Sequence, residues 1–193
     1  MRNHPDPLRV DAAGSRVIDS RRLAASLSRH HLGRLDAPHF LDRLVWLGSP
    51  ISVVALAVAL AVLAFVWRDR FGMVLAGAGP LVAELLTEQV LKPLVHRQLP
   101  SGINSFPSGH ATGITAIVAV LLVLLYRRHG GVLALRALPV LTVVVAVVGV
   151  AIVRLHYHYL TDVVGGVGVG AAAVLALTSA AMALNSRAIR SDA

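Results

Sequence analysis

Long apolar runs, separated by short polar connections, occupy the chain after its first quarter. Two of these runs, residues 50–67 and 163–186, contain no charged residue. Three more, residues 71–91, 111–126 and 137–153, are shorter or interrupted and gain length from their polar ends. A helix needs about 20 residues to cross the hydrocarbon core of a bilayer. The pattern therefore predicts an all-α fold, an integral membrane bundle of about five transmembrane helices.

The residues before the first run have a different character, because they mix Arg, Asp and His without an apolar stretch. Residues 1–20 are predicted to be a disordered tail. Residues 21–48 are partly amphipathic and are expected to form a helix that lies on the membrane surface, with a solvated tail as the alternative. Residues 49–186 are then the transmembrane domain, and residues 187–193 a short tail.

Composition supports a membrane protein and excludes several other classes. The chain is 56% apolar and 15% charged, with a mean hydropathy of +0.72, more apolar surface than a soluble domain of this size hides. The net charge of +8 does not indicate nucleic-acid binding, because most arginines lie in the N-terminal tail or beside apolar runs, where anionic headgroups explain them. The chain has no cysteine, which excludes disulfides and thiolate chemistry.

The candidate chemistry begins at a polar segment, residues 105–110, that directly precedes an apolar run. Ser108 suits the N-cap of a helix, and Gly109 allows the main chain to approach a ligand closely. The free N–H groups of a helix start form a site for an anion. His110 would lie in the first turn, where it can transfer a proton to that anion.

Two further polar groups are predicted to meet this segment. Five crossings place the loop at residues 92–108 and the turn at residues 154–162 on the same membrane face. The loop carries Lys92, the single lysine of the chain, and the turn carries His158 and Asp162. Together these residue types indicate an enzyme that handles phosphate at a membrane surface.

The distribution of arginine predicts the orientation. The opposite face carries Arg68, Arg70, Arg127, Arg128, Arg136, Arg187 and Arg190. Because short cytoplasmic loops are enriched in Lys and Arg, that face is expected to be cytoplasmic and the candidate site extracytoplasmic in a multi-pass protein of the cell membrane. The N-terminal tail is also rich in arginine and would lie on the outer side, which opposes this orientation.

The three polar blocks resemble the signatures of the type 2 phosphatidic acid phosphatase (PAP2) superfamily, which includes undecaprenyl-pyrophosphate phosphatases and vanadium haloperoxidases. The pattern is Lys-x6-Arg-Pro, then Pro-Ser-Gly-His, then Ser-Arg-x5-His-x3-Asp. The first block keeps Lys92 and Pro100, the second is complete at residues 107–110, and the third keeps His158 and Asp162. Three blocks in this order are much more specific than any one of them.

The resemblance implies a metal-independent phosphatase without a cofactor that acts through a phosphohistidine. His158 would be the nucleophile, Asp162 at i+4 would orient its ring, and His110 would be the general acid and base. The implied phosphate-binding residues are Lys92, Arg97, Ser108, Gly109 and Arg154. The implied substrate is a lipid phosphate or a polyprenyl phosphate or pyrophosphate. His156 competes for the nucleophile role but has no carboxylate at i+4.

Two departures from the superfamily pattern leave other functions open. Leu99 and Ile152 stand where the superfamily has arginine, and Arg97 and Arg154 are the nearest substitutes. A shift of two residues along a helix turns a side chain by about 200°. One alternative is therefore a catalytically weakened PAP2-like protein.

Another alternative is a non-enzymatic histidine-rich membrane metal binder or transporter component. It would use His110, His156, His158 and Asp162 as ligands. It leaves Lys92 and Arg97 unexplained, because cations beside a cation site are unfavourable. The oligomeric state is not indicated by the sequence.

Overall fold

The computed structural model describes residues 36–99, 102 and 104–191. The described residues from Leu41 onward form one compact unit, to which the site described below belongs. The tail predicted at residues 1–20 and most of the segment predicted at 21–48 lie outside the described residues. The part of segment 21–48 that is described includes a helix over residues 36–46, and its location on the membrane surface stays a prediction.

Six helices make up the described fold, and no strand is found in that part of the chain. One of them contains a π-helical turn at Leu86–Leu91. The helices are α1 (Asp36–Trp46), α2 (Pro50–Val66), α3 (Arg70–Val95), α4 (Gly109–His129), α5 (Gly131–Arg154) and α6 (Leu160–Ser191).

The lengths and hydropathies of the helices fit a membrane bundle. Helices α3 to α6 are each long and apolar enough to cross a bilayer. The segment His39–Trp46 and α2 meet at a bend of 52°, and the number of spans reaches five if this bent pair is one span. Many apolar side chains, such as Val140 and Leu184, point outward and are 66% exposed, as expected of a surface that contacts lipid. The predicted all-α membrane bundle is confirmed.

Side-chain caps begin α2 and α3 and connect α3 to a neighbouring helix. Ser49 Oγ accepts the N–H of Ser52 at 3.3 Å, and Asp69 Oδ1 accepts the N–H of Gly72 at 3.0 Å. Arg127, near the end of α4, donates to both oxygens of Asp69 at 2.8 and 2.9 Å. These hydrogen bonds hold the pKa of Asp69 below its ordinary value. The start of α3 is thus fixed to the end of α4.

Helix α4 lies in the middle of the bundle and packs against α3 and α6. A core of buried apolar side chains fills the space between these three helices: Leu75, Ala76, Ala83, Ala116, Val120, Leu124 and Val174. Glycines let α6 approach α4 closely, because a Cβ at Gly166 would lie 2.5 Å from the carbonyl oxygen of Ser108, and one at Gly170 would lie 2.4 Å from that of Thr112. This close contact holds the start of α4 against the start of α6.

Candidate active site

A buried serine caps the start of α4. Ser108 has an extended backbone, and its Oγ accepts the N–H of Ala111 at 3.4 Å, the geometry of an N-cap. The N–H of Ser108 donates to the carbonyl oxygen of Asp162 at 2.9 Å. This hydrogen bond joins the segment before α4 to the first turn of α6. It therefore brings His110 and the turn that carries His158 to the same end of the bundle.

The carboxylate of Asp162 is completely buried beneath His158. Its Oδ2 accepts the backbone N–H of Tyr159 at 3.0 Å, so the carboxylate also caps the start of α6. The same oxygen lies 3.7 Å from Nδ1 of His158. That distance is longer than a hydrogen bond, but such contacts in free enzymes often shorten when substrate binds. The carboxylate is positioned to accept a hydrogen bond from Nδ1–H of His158, which leaves Nε2 without a proton.

Arg97 contacts the opposite side of the same carboxylate. Its Nη1 lies 3.1 Å from Asp162 Oδ1 and donates to Thr161 Oγ1 at 2.7 Å. The guanidinium also lies 4.8 Å from the centre of the Tyr159 ring. These partners could not be predicted from the sequence, because no spacing rule connects residue 97 with residues 159–162.

A cavity of about 730 Å³ opens at this end of the bundle. Four residues predicted for the site line it, Lys92, Gly109, His110 and His158. His156 lines it as well and is exposed. The lining residues that were not predicted to belong to the site include Asp42, Trp46, Glu84, Glu88, Asn104 and Tyr157. A second cavity of about 390 Å³ is also lined by His158, so the imidazole ring lies between two cavities.

Two glutamates of α3 face the start of α4. A Cβ at Gly109 would lie 2.9 Å from Glu88 Oε1 and 3.6 Å from Glu84 Oε2, so glycine makes room for these carboxylates. Lys92 Nζ donates to Glu88 Oε1 at 2.6 Å, and the lysine side chain is 17% exposed. The ion pair holds the ammonium group at the cavity wall and partly neutralises it.

Burial changes the acid–base behaviour of His158. Loss of water around the imidazolium lowers the pKa of His158 below its ordinary value, and the nearby ammonium of Lys92 acts in the same direction. The carboxylate of Asp162 opposes this shift without reversing it. At neutral pH the ring is therefore neutral and has a free lone pair, as a nucleophile requires.

Comparison with known proteins assigns the family. The family model described as the PAP2 superfamily matches residues 53–186, more than half of the chain. The chain belongs to the PAP2 superfamily. Its structure is similar to the crystal structure of a transmembrane PAP2-type phosphatidylglycerolphosphate phosphatase from Bacillus subtilis, with a TM-score of 0.66, 20% identity, and coverage of 86% of this chain and 88% of that one. A search of curated proteins finds no match.

The resemblance to the PAP2 superfamily is thus confirmed, and the structure locates the two positions where arginine is absent. Leu99 lines both cavities, as His158 does. Ile152 is completely buried in the bundle. Arg154 is exposed at the end of α5 and is not among the residues that line the larger cavity. The side chain at residue 152 faces the core, so Arg154 does not occupy its place.

Three of the residues predicted to bind phosphate therefore lie off the wall of the larger cavity: Arg97, Ser108 and Arg154. The Ser108 side chain is completely buried and caps α4, and Arg97 pairs with Asp162. Their direct contact with phosphate stays a prediction. Among the described residues, no group of three or more His, Asp or Glu side chains could hold a metal ion, so the metal-binder alternative has no ligand cluster in that part of the chain.

Proposed function

We propose that this protein is a membrane-bound, metal-independent phosphatase that hydrolyses lipid phosphate or pyrophosphate esters through a phosphohistidine. Membership of the PAP2 superfamily and the fold support a membrane phosphatase in general. The observation that carries the specific mechanism is the position of His110, His158, Lys92 and Gly109 on the walls of one cavity of about 730 Å³. The Bacillus subtilis neighbour is itself named for a lipid phosphate, which favours this substrate class.

In the first step, His158 forms a bond to phosphorus while the ester bond breaks. The lone pair on Nε2 attacks, and the Nδ1 proton points to Asp162. Positive charge develops on the ring, and the buried carboxylate stabilises it. His110 gives its proton to the leaving oxygen, because an alkoxide is a poor leaving group. The products of this step are the free alcohol, or a lipid monophosphate from a pyrophosphate, and phosphohistidine.

In the second step, water releases the phosphate. His110, now neutral, takes a proton from water as the water oxygen attacks phosphorus. The phosphorus–nitrogen bond breaks, and the electron pair returns to His158. Each histidine ends in its starting protonation state, so the cycle balances without a cofactor.

Lys92 and the start of α4 stabilise the charge that spreads over the phosphoryl oxygens. Phosphoryl transfer depends mainly on positioning and electrostatics, and these groups supply a cation and free backbone N–H donors at the same wall. The cavity lies at the end of the bundle, where a lipid can present its phosphate while its tail stays in the bilayer. The arginine-rich loops at the other end favour an extracytoplasmic site.

Metal independence and phosphate mimicry give a direct test of the proposed function. Release of phosphate from lipid phosphates in detergent is expected to persist in excess EDTA. Orthovanadate is expected to inhibit it, because vanadate can take the place of the transferred phosphoryl group. The protein with both His110→Ala and His158→Ala is the control for contaminating phosphatases. A rate that EDTA abolishes and added Mg²⁺ or Zn²⁺ restores would contradict the proposal.

The pH dependence is expected to follow the protonation of His158. A protonated ring has no lone pair on Nε2, so kcat/KM falls as the pH is lowered. Since burial lowers the pKa of His158, the acidic limb of the profile is expected to lie below the ordinary imidazole value of about 6.5. The measurement is kcat/KM against pH with a lipid phosphate at constant ionic strength. An acidic limb above that value would contradict a neutral, desolvated nucleophile.

A catalytically weakened enzyme is a second candidate, and one observation favours it. Leu99 lines the cavity at the position of the superfamily's first arginine. Ile152 is buried at the position of its second arginine. The cavity therefore has fewer cations for the transferred phosphoryl group. A wild-type rate no greater than that of the double histidine variant would favour this candidate over an active phosphatase.

A further inference from the structure

A π-helical turn lies in α3 at the level of the cavity. It covers Leu86–Leu91, and the backbone N–H of Lys92 donates to the carbonyl oxygen of Thr87, five residues earlier. Such single turns inside α-helices are rare and are frequent at functional sites. The turn immediately precedes Lys92, the lysine of the cavity wall, and so decides where that residue points.

The π-helical turn changes the direction of Lys92 relative to a regular helix. Along an ideal α-helix, residues eight apart are turned from each other by about 80°. Nevertheless Glu84, Glu88 and Lys92 all line the same cavity. A wider turn between them reduces the rotation, because it holds more residues than an α-helical turn. The π-helical turn thus keeps the lysine on the cavity side of α3.

A buried chain of hydroxyl groups holds this turn against α4. Thr87 and Thr112 are both completely buried. Thr87 Oγ1 donates to Thr112 Oγ1 at 3.1 Å, and Thr112 Oγ1 donates to the carbonyl oxygen of Ser108 at 2.9 Å. Ser108 in turn donates its N–H to Asp162. Thr87 therefore holds Lys92 through its carbonyl group and contacts the helix of His110 through its hydroxyl group.

We propose that Thr87 and Thr112 are positioning residues of the proposed phosphatase: they place the ammonium of Lys92 relative to His110 and the phosphorus. Neither hydroxyl lines the larger cavity, so neither contacts substrate there, and both act through Lys92. The inference rests on the proposed function. Misplacement of a reacting or charge-stabilising group by about 1 Å can lower the rate by up to about 10²-fold. The removal of a buried hydroxyl that does not contact phosphorus can therefore have a measurable effect on the rate.

Removal of one hydroxyl at nearly constant volume tests the proposal. Thr87→Val is expected to lower kcat/KM about tenfold, mostly through kcat, because the ammonium acts on charge that develops in the transition state. Thr87→Ser keeps the donor and is expected to restore most of the activity. Thr115→Val is the matched control, since Thr115 is also buried in α4 and its hydroxyl has no hydrogen-bond partner among the described residues. Its activity is expected to stay within about twofold of the wild type.

A double-mutant cycle separates positioning of Lys92 from a general structural effect. In a Lys92→Ala background, Thr87→Val is expected to cost less than about twofold. An equal tenfold loss in both backgrounds would overturn the proposal, because the threonine would then not act through the lysine. Thr112→Val, compared with Thr112→Ser, gives the same test if Thr87→Val does not yield folded protein.

The outcomes also separate this inference from the proposed function. If the wild type releases phosphate in a His158-dependent way but Thr87→Val and Thr112→Val behave like Thr115→Val, the positioning role is wrong and the phosphatase stands. If the wild type has no His158-dependent activity, the proposed function is wrong and the inference falls with it. The inference is supported if Thr87→Val and Thr112→Val both lose activity and the serine variants keep most of it. It also requires that Thr87→Val causes little further loss of activity in the Lys92→Ala background.

Discussion

His158→Ala is expected to reduce phosphate release from lipid phosphates by at least about 10³-fold. The substitution removes the nitrogen that forms the covalent bond to phosphorus. The remaining groups, including Lys92 and His110, can still bind and polarise the substrate but cannot form the intermediate. The measurement is phosphate release in detergent by purified protein of unchanged melting temperature.

His156→Ala is the matched control for this prediction. His156 lies two residues away and lines the same cavity, but it is exposed. The buried carboxylate of Asp162 contacts His158 instead, so the control is expected to keep most of the activity. Rapid quenching should trap a phosphohistidine, and mapping it to His156 would overturn the assignment of the nucleophile while leaving the reaction class intact.

His110→Ala is expected to cost between about 10² and 10⁴ in kcat/KM with a lipid phosphate, the usual contribution of a general acid. An alkyl leaving group departs slowly without a proton, and no other residue in the cavity is equally placed in the first turn of α4. The comparison is made at fixed pH. The exposed His96→Ala, at the end of α3, is the control and is expected to match the wild type.

The leaving group of the substrate distinguishes the two roles of His110. Nitrophenyl phosphate has a leaving group that departs without a proton, so the first step should survive in His110→Ala. The second step still lacks its base, so phosphohistidine should accumulate on His158. The expected record is a burst of about one nitrophenolate per protein followed by slow turnover. Equal loss with both substrates and no trapped intermediate would contradict the assignment of His110 as acid and base.

The sparse cation content of the cavity has a physical consequence for these experiments. Lys92 is held by Glu88 at 2.6 Å, and Asp42 also lines the cavity. An acidic wall repels a phosphate dianion when the site is empty. Free phosphate is therefore expected to bind weakly, and much of the affinity for substrate has to come from the lipid portion and from contacts formed in the transition state.

Much of the fold could be predicted, because the bilayer imposes a simple length rule on apolar runs. The five runs correspond to α2 to α6. The helix ends were less predictable: α5 begins at Gly131 rather than near residue 137, and α3 continues to Val95 instead of ending near residue 91. Lys92 and Arg136 interrupt the apolar runs, but lysine and arginine are favourable inside a helix, so the helices continue past them.

The candidate site was predictable only where a motif is local. Pro107 to His110 and the i+4 pair His158 and Asp162 are set by neighbours in the chain. The pairing of Arg97 with Asp162 is not, because it joins residues far apart in sequence. Nor does local sequence reveal that Arg97 contacts α6 instead of lining the cavity.

The amino-acid sequence by itself determined that this chain is a helical membrane bundle, which polar blocks share one face, and which histidine has a carboxylate one turn away. These features depend on hydropathy and helical periodicity, which act over short stretches of chain. Only the tertiary structure decided that Arg97 holds Asp162, that glutamates face the start of α4, and that a π-helical turn directs Lys92 into the cavity. Those outcomes depend on the packing of α3, α4 and α6 against one another, because burial and hydrogen bonding between helices are properties of the assembled bundle.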